Sequence, residues 1–266
     1  MIAKELRGAW WKLGLGLVLL FSLFLSFPVP PPYGEILETV RTWPVNDPEF
    51  PKPEPVDFAL EQLSVIYGVA GGLLLVPLAL LLGVGVISNE VDKSTIFLLL
   101  SKPISRTRLL LTKYAVGGDI LLASAVLGCV VLIVSAAVKG YPLGSVSIVG
   151  VALSVVLLWL GSLLVLSVAS LASVLFRDAI KSFALAGVLV FLLLSPDNWM
   201  NYFFRNEYLS LGLSEGFPRD VTLFYYWFSG RSYLGEGLSP TDFIVCLLAA
   251  VVPLLLALWL LNRKAY

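Results

Sequence analysis

Histidine is absent from the chain, methionine occurs only at Met1 and Met200, and cysteine only at Cys129 and Cys246. Without imidazole, and with both thiols inside apolar runs, the sequence offers no metal-ligand cluster and no nucleophile paired with a base. A cysteine in such a run ordinarily acts as a small packed hydrophobe, so a disulfide framework is not expected. Charge is scarce too: 14% of residues carry it, against about 25% in soluble domains. Eighteen basic residues balance 18 acidic ones, which removes the basic field that nucleic-acid binding relies on. A phosphate-cradling loop is also missing. Its one approximation, "DKS" at Asp92 to Ser94, has Asp where the second Gly must approach phosphate, so the chain is not expected to hydrolyse nucleotide by itself.

Hydrophobicity is abundant, with 58% apolar residues and a mean hydropathy of +0.91. Apolar segments lie near residues 10–27, 63–87, 114–138, 147–175, 180–195 and 242–261, most of them matching the length of about 20 residues that a helix needs to cross a bilayer. The expected fold is therefore an all-α integral membrane protein: six transmembrane helices forming a single transmembrane domain over residues 1–266. Lys4, Arg7 and Lys12 precede the first apolar core, but "LSFPVPPP" offers no small-residue cleavage site. This segment reads as a retained helix with Trp10 and Trp11 at the interface. The fifth segment is the shortest. Pro77 and Pro253 fall inside the second and sixth segments and are expected to kink them. Gly68 and Gly72, Ser124 and Gly128, and Ala169 and Ser173 each stand four apart, a spacing that lets membrane helices approach closely.

Charge sets the expected orientation. With the N-terminus inside, the inner turns hold Lys4, Arg7, Lys12, Lys93, Lys102, Arg106, Arg108, Lys113, Arg177, Lys181, Arg263 and Lys264, which is 12 of the 18 basic residues, while 13 of 18 acidic residues lie outside. Basic residues near span ends mark the cytoplasmic side, so a cell-membrane protein with both termini in the cytoplasm is expected. Asp119, in "KYAVGGDILL", is the one ionisable residue within a span. It reads either as a packing or interface residue close to the cytoplasmic end or as a proton or ion relay. The relay would make the chain a secondary transporter or channel, a class that predicts inverted repeats. None is evident.

Two outer regions remain. Residues 28–62 run through "PVPPPYG" and "WPVNDPEFPKPEP", and so many prolines predict an irregular loop or a linker. Residues 196–240 hold 12 aromatics, including "FYYWF". Three readings stand: an interfacial belt, a helical pair dipping back into the outer leaflet behind the short fifth span, or a substrate-binding face.

Between the second and third spans lies "DKSTIFLLLSKPISRTR", with five apolar residues in a row from Ile96 to Leu100. Asn89 can cap a helix start, Glu90 and Asp92 suit its positive first turn, and Ser101 with Pro103 marks a stop. The result is a short cytoplasmic helix over residues 90–100, one side against the bundle and the other free for a partner. The order "SNEVDKSTIFLLLSKPISRTRLLLTKY", Ser88 to Tyr114, resembles the signature of ABC-2-type permeases at Glu90, Ser94, Thr95, Leu99, Leu100, Ser101, Pro103, Ser105, Arg106 and Lys113. Ser94 stands where the family usually has Gly. "KELR", Lys4 to Arg7, agrees with it as well. The likeness is greatest to the branch associated with copper-enzyme maturation, although a chain without His and nearly without Met is ill suited to handling copper directly.

That resemblance implies a permease that dimerises with a second copy or a homologous permease and pairs with a separate ATP-binding-cassette ATPase, on which ATP and magnesium would sit. Export is the family's usual direction. Residues Glu90 to Leu100 would form the coupling helix, with Glu90, Asp92, Ser94, Thr95, Phe97, Leu98, Leu99, Leu100, Pro103 and Arg106 as coupling residues. "RDAIKS", with Arg177, Asp178 and Lys181, would be a second, smaller contact. The chain itself would bind no cofactor and no metal.

Overall fold

The computed structural model describes residues 31–42, 53–87, 105–176, 178–194, 232–235 and 238–263, and among these it contains helices and no strand. The helices are α1 (Tyr33–Arg41), α2 (Pro55–Val84), α3 (Arg106–Val138), α4 (Ile148–Leu175), α5 (Ala179–Leu194) and α6 (Pro240–Arg263), with 3₁₀ turns at Leu143–Ser145 and Ser232–Leu234. α3, α4 and α6 are each long and apolar enough to cross a membrane, while α5 and the Leu74–Val84 part of α2 are shorter apolar pieces. The expected first span, residues 10–27, lies outside the described residues. So do the coupling helix at 90–100 and most of the aromatic region 196–240.

Residues 28–62 are more regular than their prolines suggested. α1 occupies Tyr33–Arg41 and α2 already begins at Pro55. Pro32 stands at the N-cap of α1 and Pro55 at the first position of α2. There the missing N–H falls among groups that have no helical partner anyway, so proline starts these helices instead of breaking them. α3 likewise begins at Arg106, two turns before the expected start of its span. Both α2 and α6 run on through Pro77 and Pro253.

The other helix starts follow capping chemistry. Ser105 accepts from the Arg108 amide at 3.3 Å, and Ser147 from the Gly150 amide at 3.1 Å. Asp178 accepts from the Ile180 and Lys181 amides. At α6, Ser239 accepts from the Thr241 amide while Asp242 reaches back to the Ser239 amide at 2.9 Å, a reciprocal capping pair. α3 ends at Val138 with Lys139 as its C-cap, followed by Gly140 at φ +78°, a backbone geometry that glycine adopts without strain.

α4 is the axis of the bundle: α2, α3, α5 and α6 all pack on it. In lipid the drive toward helix contact comes from close packing and interhelical hydrogen bonds, since lipid tails are as apolar as leucine. α4 supplies both. Ser162, Ser167, Ser170 and Ser173 are completely buried, and the first three return their hydroxyls to their own helix at the carbonyls of Trp159, Leu163 and Leu166. Trp159 donates to the Gly118 carbonyl of α3 at 2.9 Å, and the Tyr114 and Ser167 hydroxyls meet at 2.8 Å. Tyr67 of α2 donates to the Ala125 carbonyl of α3 at 3.0 Å.

Tyr233 departs from the expected aromatic belt. It is fully buried, its ring centroid 6.2 Å from that of Tyr67 and its hydroxyl 3.8 Å from the Cys129 sulfur. The Ser147 amide donates to its carbonyl at 2.8 Å. Gly150 admits the turn, because a Cβ there would collide with the Ser232 carbonyl. These bonds satisfy the polar groups that would otherwise hold a tyrosine at the interface. Cys129 and Cys246 are both buried and unbridged.

Candidate functional site

The end of α2, the start of α3, the end of α4 and the end of α6 meet at one end of the bundle. Val86, Ile87, Leu109, Leu110, Val174, Ala257 and Leu261 form a hydrophobic cluster there, distinct from the main core. The Thr107 hydroxyl donates to the Asn262 side-chain oxygen at 3.3 Å, joining the α3 start to the α6 end. The Arg263 guanidinium lies 4.0 Å from the Trp259 ring centroid, a cation–π contact at the last turn of α6. Among the described residues this end carries Arg106, Arg108, Lys113, Lys181 and Arg263 against Asp178. The opposite end carries Glu35, Glu38, Glu54, Asp57, Glu61 and Asp242 against Arg41 and Lys139.

Ser173 forms the tightest link at the basic end. Its buried hydroxyl donates to the Val84 carbonyl at 3.0 Å and accepts from the Ile87 amide at 2.9 Å. It thus stands in for the next helical turn where α2 stops, and it fixes the point from which the chain leaves for residues 88–104. One turn before that point, Gly83 allows the helices to cross closely. A Cβ at Gly83 would clash with Ala169 and lie 2.8 Å from the Leu166 carbonyl. Ala169 and Ser173, noted in the sequence only for their spacing, are therefore the residues that grip the end of α2.

The expected coupling residues Glu90, Asp92, Ser94, Thr95, Phe97, Leu98, Leu99, Leu100 and Pro103 lie outside the described residues, as does Arg177. Arg106 occupies the first position of α3, partly buried. Asp178 caps α5, and its 4.0 Å pair with Lys181 is a solvated surface contact. Such pairs contribute little stability, which leaves Lys181 free to exchange partners. Asp119 is separate from this end. It sits on an exposed face of α3, one residue from the Gly118 carbonyl that Trp159 holds. Among the described residues no group of three or more His, Cys, Asp or Glu is arranged to hold a metal ion.

A family model described as ABC-2 family transporter protein matches residues 54–265. The chain belongs to the ABC-2 family. Curated proteins give no match. The match takes in α2 to α6 and both turns at the basic end, and it begins after "KELR" and α1. ABC-2 proteins are the membrane component of a transport system and are not themselves catalytic. Membership identifies a multi-pass ABC transporter permease, and in general implies an ATP-binding-cassette ATPase as partner.

Proposed function

We propose that this ABC-2 permease is the six-span membrane subunit of an exporter, working as a dimer and driven by a separate ATPase seated on the basic end of the bundle. The observation that supports the reading is the convergence of four helix ends where the chain leaves α2 at Ile87 and enters α3 at Arg106, the two points that residues 88–104 connect in sequence. A partner pushing on that segment would move the end of α2 and the start of α3 together. Through Ser173 it would also reach the end of α4 and the turn into α5. The basic end would face the cytoplasm, as span-end Lys and Arg do, with both chain termini on that side and ATP and magnesium bound by the ATPase. Within the family, the order of residues 88–114 resembles the branch associated with copper-enzyme maturation.

The coupling helix at 90–100 explains the apolar run Ile96 to Leu100, which on a cytoplasmic turn needs cover on two sides. Glu90 and Asp92 would serve as first-turn charges, as partners of basic residues on the ATPase, or both. Replacing Phe97 or Leu98 with Asp tests this. A charge in either buried contact is costly, about 2–7 kcal/mol even for a neutral polar group without a partner. The expected result is a permease that still inserts but loses its ATPase on purification and transports nothing. Copurification at the wild-type ratio for both substitutions would rule out 90–100 as the coupling element.

A further inference from the structure

We propose that the Ser232–Leu234 turn is a removable wedge, which closes a cleft between α2 and α4 at the end opposite the basic end and is withdrawn when the ATPase drives the bundle. The inference rests on the ATPase-driven reading given above. α2 and α4 meet most closely at the basic end: a Cβ on Gly83 would lie 2.8 Å from the Leu166 carbonyl and 3.1 Å from the Ser170 amide, so backbone meets backbone there. Farther from that end, at Gly71, the space is filled by the Leu158 side chain. One turn beyond, at Tyr67, a whole tyrosine is inserted, with the Tyr67 and Tyr233 ring centroids 6.2 Å apart. Cys129 of α3 lies beneath it, its sulfur 3.8 Å from the Tyr233 hydroxyl. Cys129 precedes Val138 by nine residues, so at a rise of about 1.5 Å per residue Tyr233 reaches about 14 Å below the end of α3.

The turn is held unevenly. On α4 the backbone holds it: the Ser147 amide donates to the Tyr233 carbonyl at 2.8 Å, and Gly150 lets the Ser232 carbonyl lie against the helix. Toward α2 and α3 the polar contact is one side chain. The hydroxyls of Tyr67, Tyr114 and Tyr141 each have an oxygen partner at 2.8–3.0 Å, whereas among the described residues that of Tyr233 has only the Cys129 sulfur, a weak acceptor. Tyr233 therefore gives up little hydrogen bonding on leaving, and interfacial water suits a phenol. At the basic end, in contrast, Ser173 pins α4 to α2 through Val84 and Ile87. Stiff helices pinned at one end move most at the other, so a displacement passed in at the basic end spreads α2 from α4 around Tyr233. The turn stays with α4, and Tyr233 comes away from Tyr67 and Cys129.

Cys129 is a native reporter of this cleft, because it is buried and unbridged. The full permease with Cys246→Ala is reconstituted with its ATPase in lipid vesicles and treated, on the side opposite the basic end, with a maleimide that cannot cross the membrane. Labelling of Cys129 is followed without nucleotide and with magnesium and a non-hydrolysable ATP analogue. The expected result is slow labelling without nucleotide and a severalfold rise with the analogue. Tyr233→Phe should keep both rates, since it loses only the bond to sulfur, and Tyr233→Ala should label rapidly without nucleotide. Equal labelling of the Tyr233-intact permease in both states, in a complex that hydrolyses ATP, would overturn the proposal. So would a folded Tyr233→Ala permease in which Cys129 stays shielded; if that variant does not fold, the intact permease and Tyr233→Phe decide. A permease with which no ATPase copurifies would instead fail at the exporter reading, and the wedge would fall with it.

Discussion

The backbone amide of Ile87 donates to the hydroxyl of Ser173 across 2.9 Å, although the two residues are 86 positions apart in the chain. The same hydroxyl donates to the Val84 carbonyl, so one small side chain ties the last turn of α2 to the last turn of α4.

Ser173→Ala removes both bonds and leaves the Ile87 amide buried without this acceptor, at a cost of about 1–3 kcal/mol. The expected outcome is a lower melting temperature together with weaker coupling of transport to ATP hydrolysis in the assembled complex. Wild-type melting and wild-type coupling would show that the link is dispensable.

Gly83→Ala sets a methyl group against the Leu166 carbonyl and Ala169, which are backbone and a short side chain with little room to yield. Overpacking of this kind costs about 1–3 kcal/mol, visible as loss of monodisperse protein on size exclusion. Gly187→Ala is the matched control, since a Cβ there meets nothing within 4 Å. If both variants behave like wild type, the α2–α4 crossing is looser than described.

Tyr141→Phe deletes the hydrogen bond to the Pro31 carbonyl, worth about 1 kcal/mol. Burial pushes the Tyr141 phenol up to about 12 from its ordinary 10.0. The protonated form is the one the fold favours, so its contribution is complete below pH 10 and disappears as pH rises through the folded value. The stability gap between wild type and Tyr141→Phe should therefore be constant across the neutral range and narrow only in strong alkali. A gap that changed near neutrality would point to a different group.

Topology is tested by single cysteines. A cysteine at Lys52 is expected to react with an impermeant thiol reagent from outside, and one at Lys102 only from the cytoplasmic side. Labelling of position 52 from inside would reverse the orientation.

Asp119→Asn is expected to weaken the fold while leaving the transport rate of each assembled complex unchanged. A complex with normal assembly and ATPase activity but no transport would instead make Asp119 a relay and bring back the secondary-transporter reading.

The long apolar helices α3, α4 and α6 were legible because twenty or so apolar residues leave few alternatives to a membrane helix. Family membership was legible in the residues around 88–114, where charge, apolar run and proline follow a fixed order. α1 and the early start of α2 were not: Pro32 and Pro55 read as breakers until their positions at helix starts were known. Ser173 was noticed only as half of a small-residue pair. Its role depends on a partner that local sequence cannot supply, because the helices must pack before the hydroxyl meets Val84 and Ile87. Tyr233 was hidden for the same reason, since hydropathy alone assigns an aromatic beside a span to the interface.

The central place of α4 has a consequence for how the protein is made. α6 leaves the ribosome well after α4, yet the two helices pack together. Throughout that interval one side of α4 faces lipid or the insertion machinery in place of its final neighbour. A chain that stalls or is cut before Pro240 would therefore carry an unfinished axis, with Leu171 and Val174 lacking Ala257 and Leu261. Until α6 docks on α4, quality control in the membrane would meet a bundle whose central helix is still uncovered.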